Sequence, residues 1–214
     1  MSLGAAGEQQ MPALAVLLTG AVTPSGKLGQ TMVRRYEDHP SAPYIHTNKD
    51  HPEELLTYEN FGLSAAENGS VGFEKSPVSV YGEDIYVGYR YFDTFGKDVL
   101  FPFGFGLSYG QPVMTRCSVA LDQATVSVSA DITNESQDHA AREVVQVYVS
   151  APDGKLEQPY QKLAGYGKTG LLAPGQSETV KLHFPVSDLA SYDEATAAYV
   201  LEPGLYYLRV GSSS

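Results

Sequence analysis

Glu83, Asp84 and Asp93 are carboxylates set in a dense run of aromatic side chains, with Arg90 among them. Two carboxyl groups held across a small gap can act as nucleophile and general acid/base. Glu83 and Asp84 are adjacent, and in extended chain adjacent side chains point to opposite sides. Ion pairs or caps around the aromatic cluster therefore account for these acids better than catalysis does. Arg90 lies between Tyr89 and Tyr91, where a planar cation can stack on rings or pair with a carboxylate, which favours a structural role over contact with a ligand. His39, His46 and His51 beside Asp38 and Asp50 carry metal donor atoms. Their spacing follows no standard ligand pattern, so they read as solvated loop residues. Ser108, in Gly106-Leu107-Ser108-Tyr109, does not sit in a Gly-x-Ser-x-Gly elbow. No metal and no cofactor is expected.

These groups sit in 214 residues of net charge −11, with the acid excess spread along the whole chain. No basic patch can be read, so nucleic acid is not an expected partner. Hydrophobic residues make up 43% and charged residues 18%, a globular balance. Cys117 is the only cysteine, which excludes an internal disulfide and favours the cytoplasm slightly over secretion. No signal peptide is read, with Met1-Ser2-Leu3 set aside as an expression scar. The longest apolar run, Ala13 to Leu18, is far below the roughly 20 residues that span a bilayer, so no membrane contact is expected.

The elements that must hold the candidate residues change character along the chain. Met11, Leu14, Ala15 and Leu18 recur at helical spacing over residues 8–19, and Gly20 is a natural stop. A turn at Thr23-Pro24-Ser25-Gly26-Lys27 leads to a short strand expected near Leu28 to Val33. One helix and one strand make no core, so the chain is expected to begin inside a domain. Residues 34–80 are polar, and Glu53-Glu54-Leu55-Leu56 is their one expected helical turn. The stretch from Tyr81 to Tyr109 alternates aromatics with glycines, which suits an irregular packed connection between two bodies rather than a helix or strand.

From residue 113 the pattern is β. Val126, Val128, Ala130 and Ile132 alternate with Ser127, Ser129, Asp131 and Thr133, giving one buried and one wet face. Val145, Val147 and Val149 form a second strand whose other face is partly apolar, as in a central strand. Weaker strands follow at Gln161 to Tyr166, Val180 to Phe184 and Tyr206 to Val210, with a type II turn at Ala173-Pro174-Gly175-Gln176. A short helical turn capped by Asp188 is expected before Asp193. With a first strand at Val113 to Leu121, about seven strands are expected, the count of an immunoglobulin-like sandwich. The exposed aromatics of such a domain, with Tyr148, Tyr160 and Tyr166 as candidates, could line a sugar-binding groove.

Two motifs carry a resemblance. Glu83-Asp84-Ile85-Tyr86-Val87-Gly88-Tyr89-Arg90-Tyr91-Phe92-Asp93 and Phe101-Pro102-Phe103-Gly104-Phe105-Gly106-Leu107-Ser108-Tyr109 resemble the junction of glycoside hydrolase family 3 β-glucosidases. There it joins an α/β sandwich domain to a fibronectin type III-like domain. Leu14 to Leu28 resembles the last helix and turn of that α/β domain, with Thr23 in place of the usual Asn and Gly29 in place of a Pro. Glu143 to Val149, Leu163 to Tyr166, Leu172 to Gln176 and Glu202 to Tyr206 resemble its terminal domain in order and spacing.

The resemblance implies a mainly β chain: a fibronectin type III-like sandwich at 112–214, the tail of an α/β domain at 4–33, and a loop and aromatic junction at 34–111. It implies a parent that cleaves terminal β-D-glucosyl residues with retention. The family's nucleophile lies in a TIM barrel and its acid/base before the α/β tail, and neither matches a position in this chain. The chain is thus expected to be inactive alone, with the rest of the glycosidase as its partner. Tyr89, Arg90, Tyr91, Asp93 and Phe105 are the candidate junction or active-site-rim residues, with β-glucoside contact and self-association through the junction aromatics as further expectations. The Asp84 to Phe95 run is most similar to bacterial members in which the barrel follows the fibronectin-like domain. A free-standing sandwich that binds a glycan or protein surface is the competing expectation.

Overall fold

The computed structural model describes residues 10–44 and 81–214. The strict alternation in residues 125–134 does what half-buried strand sequence must. Val126, Val128, Ala130 and Ile132 are buried while Ser127, Ser129, Asp131 and Thr133 stay partly exposed. This strand, β2 (Thr125–Asn134), is the centre of one antiparallel sheet between β1 (Pro112–Asp122) and β5 (Ser177–Pro185). The register sets Val119 opposite Val128 and Val128 opposite Leu182.

The second sheet is also antiparallel, with β3 (Val144–Ser150) between β4 (Lys162–Lys168) and β8 (Tyr207–Gly211). Val145, Val147 and Val149 point inward and meet β2, Val180, Phe184 and Leu189 in the core. Gly167 lets the sheets close at one side, since a Cβ there would lie 2.8 Å from Val180 and 2.9 Å from Leu182. The chain is mainly β, a sandwich of immunoglobulin-like type.

Several expectations are corrected. The sandwich has six described strands, and β6 (Ser191–Asp193) and β7 (Ala198–Val200) pair as a separate hairpin. The turn before β6 is a 3₁₀ segment, Val186–Leu189, led by Pro185 without a side-chain cap, so Asp188 is not its cap. Residues 28–33 form no strand; they lie against the second aromatic cluster through Leu28 N–H to Phe105 O and Met32 N–H to Phe101 O, each 2.8 Å. The helix α1 (Gln10–Leu18) forms, but Met11 and Leu18 of its apolar stripe are exposed. Glu53 to Leu56 lies outside the described residues.

Asn134 closes one end of the sandwich. Its buried amide accepts from Gln111 N–H and Ser136 N–H, each 3.2 Å, and donates to His139 O at 2.8 Å and Leu172 O at 3.0 Å. Four loop groups are satisfied by one side chain that has four bonding positions. The type II turn forms below it, with Gly175 at φ +76° and Gln176 N–H donating to Ala173 O.

Candidate functional site

The outward face of β3 decides where the junction goes. Gln146 and Tyr148 point away from the core yet are buried, because residues 89–104 lie on them. The first aromatic cluster is a helix rather than irregular chain: α2 (Tyr89–Thr94) starts after Gly88, whose φ of +60° turns the backbone into it. Asp84 stands at φ +49° in a turn, so the extended geometry expected for Glu83-Asp84 does not hold.

Tyr89 is the anchor. Its ring stacks on Phe103 at 4.8 Å and meets Tyr148 edge-on at 5.8 Å, and its hydroxyl accepts from Leu163 N–H at 2.8 Å. One turn on, Asp93 accepts from Gln161 Nε2 at 2.9 Å. Burial raises the Asp93 carboxyl above the usual aspartate range, against the lowering effect of its bonds to Gln161 and Ser214. Thr94 Oγ1 accepts from Tyr160 N–H at 2.9 Å, and Tyr86 donates to Glu157 at 2.6 Å. That carboxylate holds the Tyr86 proton and pushes its pKa up to about 12.

The other candidates do not join this set. Tyr91 packs on Phe92 at 5.3 Å and on Phe95 at 5.1 Å. Phe105 stacks on Phe101 at 4.8 Å and accepts from Leu28 N–H. Arg90 makes no ion pair among the described residues and lines a cleft of about 400 Å³ with Thr31, His39, Phe92 and Phe103. Its charge adds to burial in lowering the pKa of Lys162. The structure thus brings Tyr89 and Asp93 onto the sandwich, and leaves Tyr91, Phe105 and Arg90 on the junction's own side.

Asp38 and His39 have uses other than a metal. Asp38 closes a turn onto Arg35, 2.9 Å from its guanidinium, and His39 meets Phe92 edge-on at 6.1 Å. His46, Asp50 and His51 lie outside the described residues, and among the described residues no three His, Cys, Asp or Glu side chains gather as a metal site. Of the proposed sugar platforms Tyr148 is buried under the junction, while Tyr160 and Tyr166 are exposed. Among the described residues no helix is long and apolar enough to cross a membrane.

Sequence reasoning missed three further ties. Lys27 pairs with Glu143 at 2.7 Å with both side chains largely covered, and Lys168 donates to Ser25 O at 3.0 Å. Both join the N-terminal turn to the sandwich across more than a hundred residues, and no local pattern signals them. Gly104 meets Gln146 so closely that a Cβ there would lie 2.5 Å from its amide.

The comparisons agree with this architecture. A fibronectin type III-like domain model matches residues 143–214. β-Glucosidase A of Butyrivibrio fibrisolvens is 35% identical over 223 residues, covering 94% of this chain and 24% of that protein. An exo-α-(1→6)-L-arabinopyranosidase of Bifidobacterium breve is 37% identical, covering 97% of this chain and 24% of that protein. The structure of β-glucosidase 3B from Thermotoga neapolitana in complex with glucose superposes with TM-score 0.79 at 40% identity, over 98% of this chain and 26% of that one. The chain therefore spans about a quarter of the length of these relatives. In its sandwich, its junction and its similarity along nearly its whole length, the chain resembles a portion of the glycoside hydrolase family 3 β-glucosidases, one that includes the fibronectin type III-like domain.

Proposed function

We propose that this chain is the non-catalytic structural portion of a β-glucosidase-type glycoside hydrolase whose parent cleaves terminal β-D-glucosyl residues with retention. Residues 4–33 are then the tail of an α/β domain, 34–111 the junction, and 112–214 the fibronectin type III-like domain. The observation that carries this reading is the seating of α2 and Gly104 on the outward face of β3, where Tyr89, Tyr148, Gln146 and Asp93 form one packed block. Such a block transmits position: whatever body the junction enters is held rigidly to the sandwich.

Exposed apolar side chains outside the sandwich support a neighbour. Met11 and Leu18 of α1 and Phe95, Leu100 and Leu107 of the junction are exposed, as expected of surface that the remaining glycosidase covers. Arg90 and Tyr91, whose side chains make no hydrogen bond or ring contact with the sandwich among the described residues, are the residues we assign to that neighbour. Relatives of similar identity over this portion are named for a β-glucosidase and for an arabinopyranosidase. A portion shared by proteins named for different sugars fits a brace better than a sugar-selecting site.

The test is deletion of residues 112–214 from the full-length protein. The reading predicts loss of β-glucosidase activity, or its retention only with much faster thermal inactivation. Unchanged activity and unchanged thermal inactivation would overturn it.

A further inference from the structure

Among the described residues Arg90 is a cation without an acid. Its guanidinium carries a planar fork of N–H donors, yet it forms no ion pair there. Asp93, one turn on along α2, is taken by Gln161 Nε2. The cleft of about 400 Å³ that Arg90 lines has no Asp or Glu on its walls. It does have Thr31, which is 4% exposed and whose hydroxyl meets no hydrogen-bond partner. A buried polar group left unpaired costs stability, so its partner has to be sought. Burial and the charge of Arg90 together lower the pKa of Lys162 on β4, so the charge Arg90 bears on from the sandwich is a second cation.

We propose that this cleft takes the carboxylate of one Asp or Glu side chain from the rest of the glycosidase, held by the Arg90 guanidinium and the Thr31 hydroxyl. The assignment rests on the proposed function, in which the junction meets a neighbouring body. A carboxylate is an acceptor with about four lone-pair sites. It can take two parallel N–H bonds from a guanidinium and still accept the O–H of Thr31. It also brings the negative charge that the walls lack. Phe92 and Phe103, on the same walls, cover the methylenes of the acid and keep water from the pair, which strengthens it. The surroundings select a protein side chain over a free small anion. Val87 lines the cleft and is 54% exposed, and Phe95, just past the end of α2, is 50% exposed. A protein face that delivers the acid covers this apolar surface as well, whereas a small anion leaves it bare.

The experiment is a double-mutant cycle in the full-length protein. Each Asp and Glu is changed in turn to its amide, once with Arg90 present and once with Arg90→Met, which keeps most of the apolar stem and removes the charge. The rate of thermal unfolding at one fixed temperature is followed by fluorescence, so that variants without activity are read too. Arg90→Met is expected to unfold about tenfold faster. One acid outside the 214 residues should give a similar loss with Arg90, and a change of less than about twofold once Arg90 is methionine. Arg90→Met without effect, in a protein that deletion of residues 112–214 still inactivates, overturns the proposal and leaves the proposed function standing. A loss with Arg90→Met that no acid shares overturns it, since a neutral acceptor or a free anion then holds the guanidinium. A coupled acid inside the 214 residues overturns it too, because the chain would then supply its own partner.

Discussion

Gly104 packs against the side-chain amide of Gln146, with φ +79° and no room for a methyl group: a Cβ would lie 2.5 Å from both amide heteroatoms. Gln146 cannot move aside cheaply. Its Nε2 donates to Ser212 O at 2.9 Å and its Oε1 accepts from Tyr148 at 2.5 Å. Gly104→Ala therefore meets backbone strain and a steric clash together, and is expected to destabilise by about 2–4 kcal/mol. Chemical denaturation of the variant checks this; a loss under about 0.5 kcal/mol would show that the junction is not seated on β3 as described.

Tyr89 separates ring packing from hydrogen bonding. Tyr89→Phe keeps the stack on Phe103 but leaves Leu163 N–H without its acceptor, costing about 1 kcal/mol. Tyr89→Ala also removes the contacts with Phe103 and Tyr148, costing about 3 kcal/mol or more. Thermal melts should rank the variants in that order, with the alanine loosening junction and sandwich in one transition.

Asn134 is irreplaceable by its isosteric acid. Asp keeps the acceptors for Gln111 and Ser136 but turns both donor bonds, to His139 O and Leu172 O, into carboxylate–carbonyl repulsion. Asn134→Asp and Asn134→Ala should each cost about 2–4 kcal/mol. Urea midpoints near neutral pH give the comparison.

Two groups set the pH response. Burial raises Asp93 in the folded state, so the folded chain binds its proton more tightly, and this contribution to stability is lost as pH rises upward from the ordinary aspartate range. Asp93→Asn keeps an acceptor for Gln161 without the charge, so its stability relative to the parent chain should be higher at pH 7 than at pH 4. Tyr86 is also raised, through its bond to Glu157; its stabilisation is present below the ordinary tyrosine pKa of 10.0 and lost as pH rises to about 12. Tyr86→Phe should flatten the unfolding profile in that alkaline window.

The sandwich was readable because β2 and β3 carry their burial in their own alternation. What lay beyond reach was tertiary. Tyr148 resembles an exposed sugar platform until α2 covers it, and α2 itself is hidden in Tyr-Arg-Tyr-Phe text that has no helical stripe. Leu28 to Val33 looks like a strand, but its bonds are isolated: Leu28 bonds with Gly104 and Phe105, and Met32 with Leu100 and Phe101, without forming a ladder. Of the five candidate residues, Tyr89 and Asp93 hydrogen-bond to Leu163 and Gln161 of the sandwich, partners some 70 positions away that no local pattern signals.

Whether the purified 214-residue chain hydrolyses 4-nitrophenyl β-D-glucoside is the most direct test of its proposed structural role. The account predicts no nitrophenol release above buffer at any substrate concentration. Release that saturates with substrate and follows the chain through purification would contradict it.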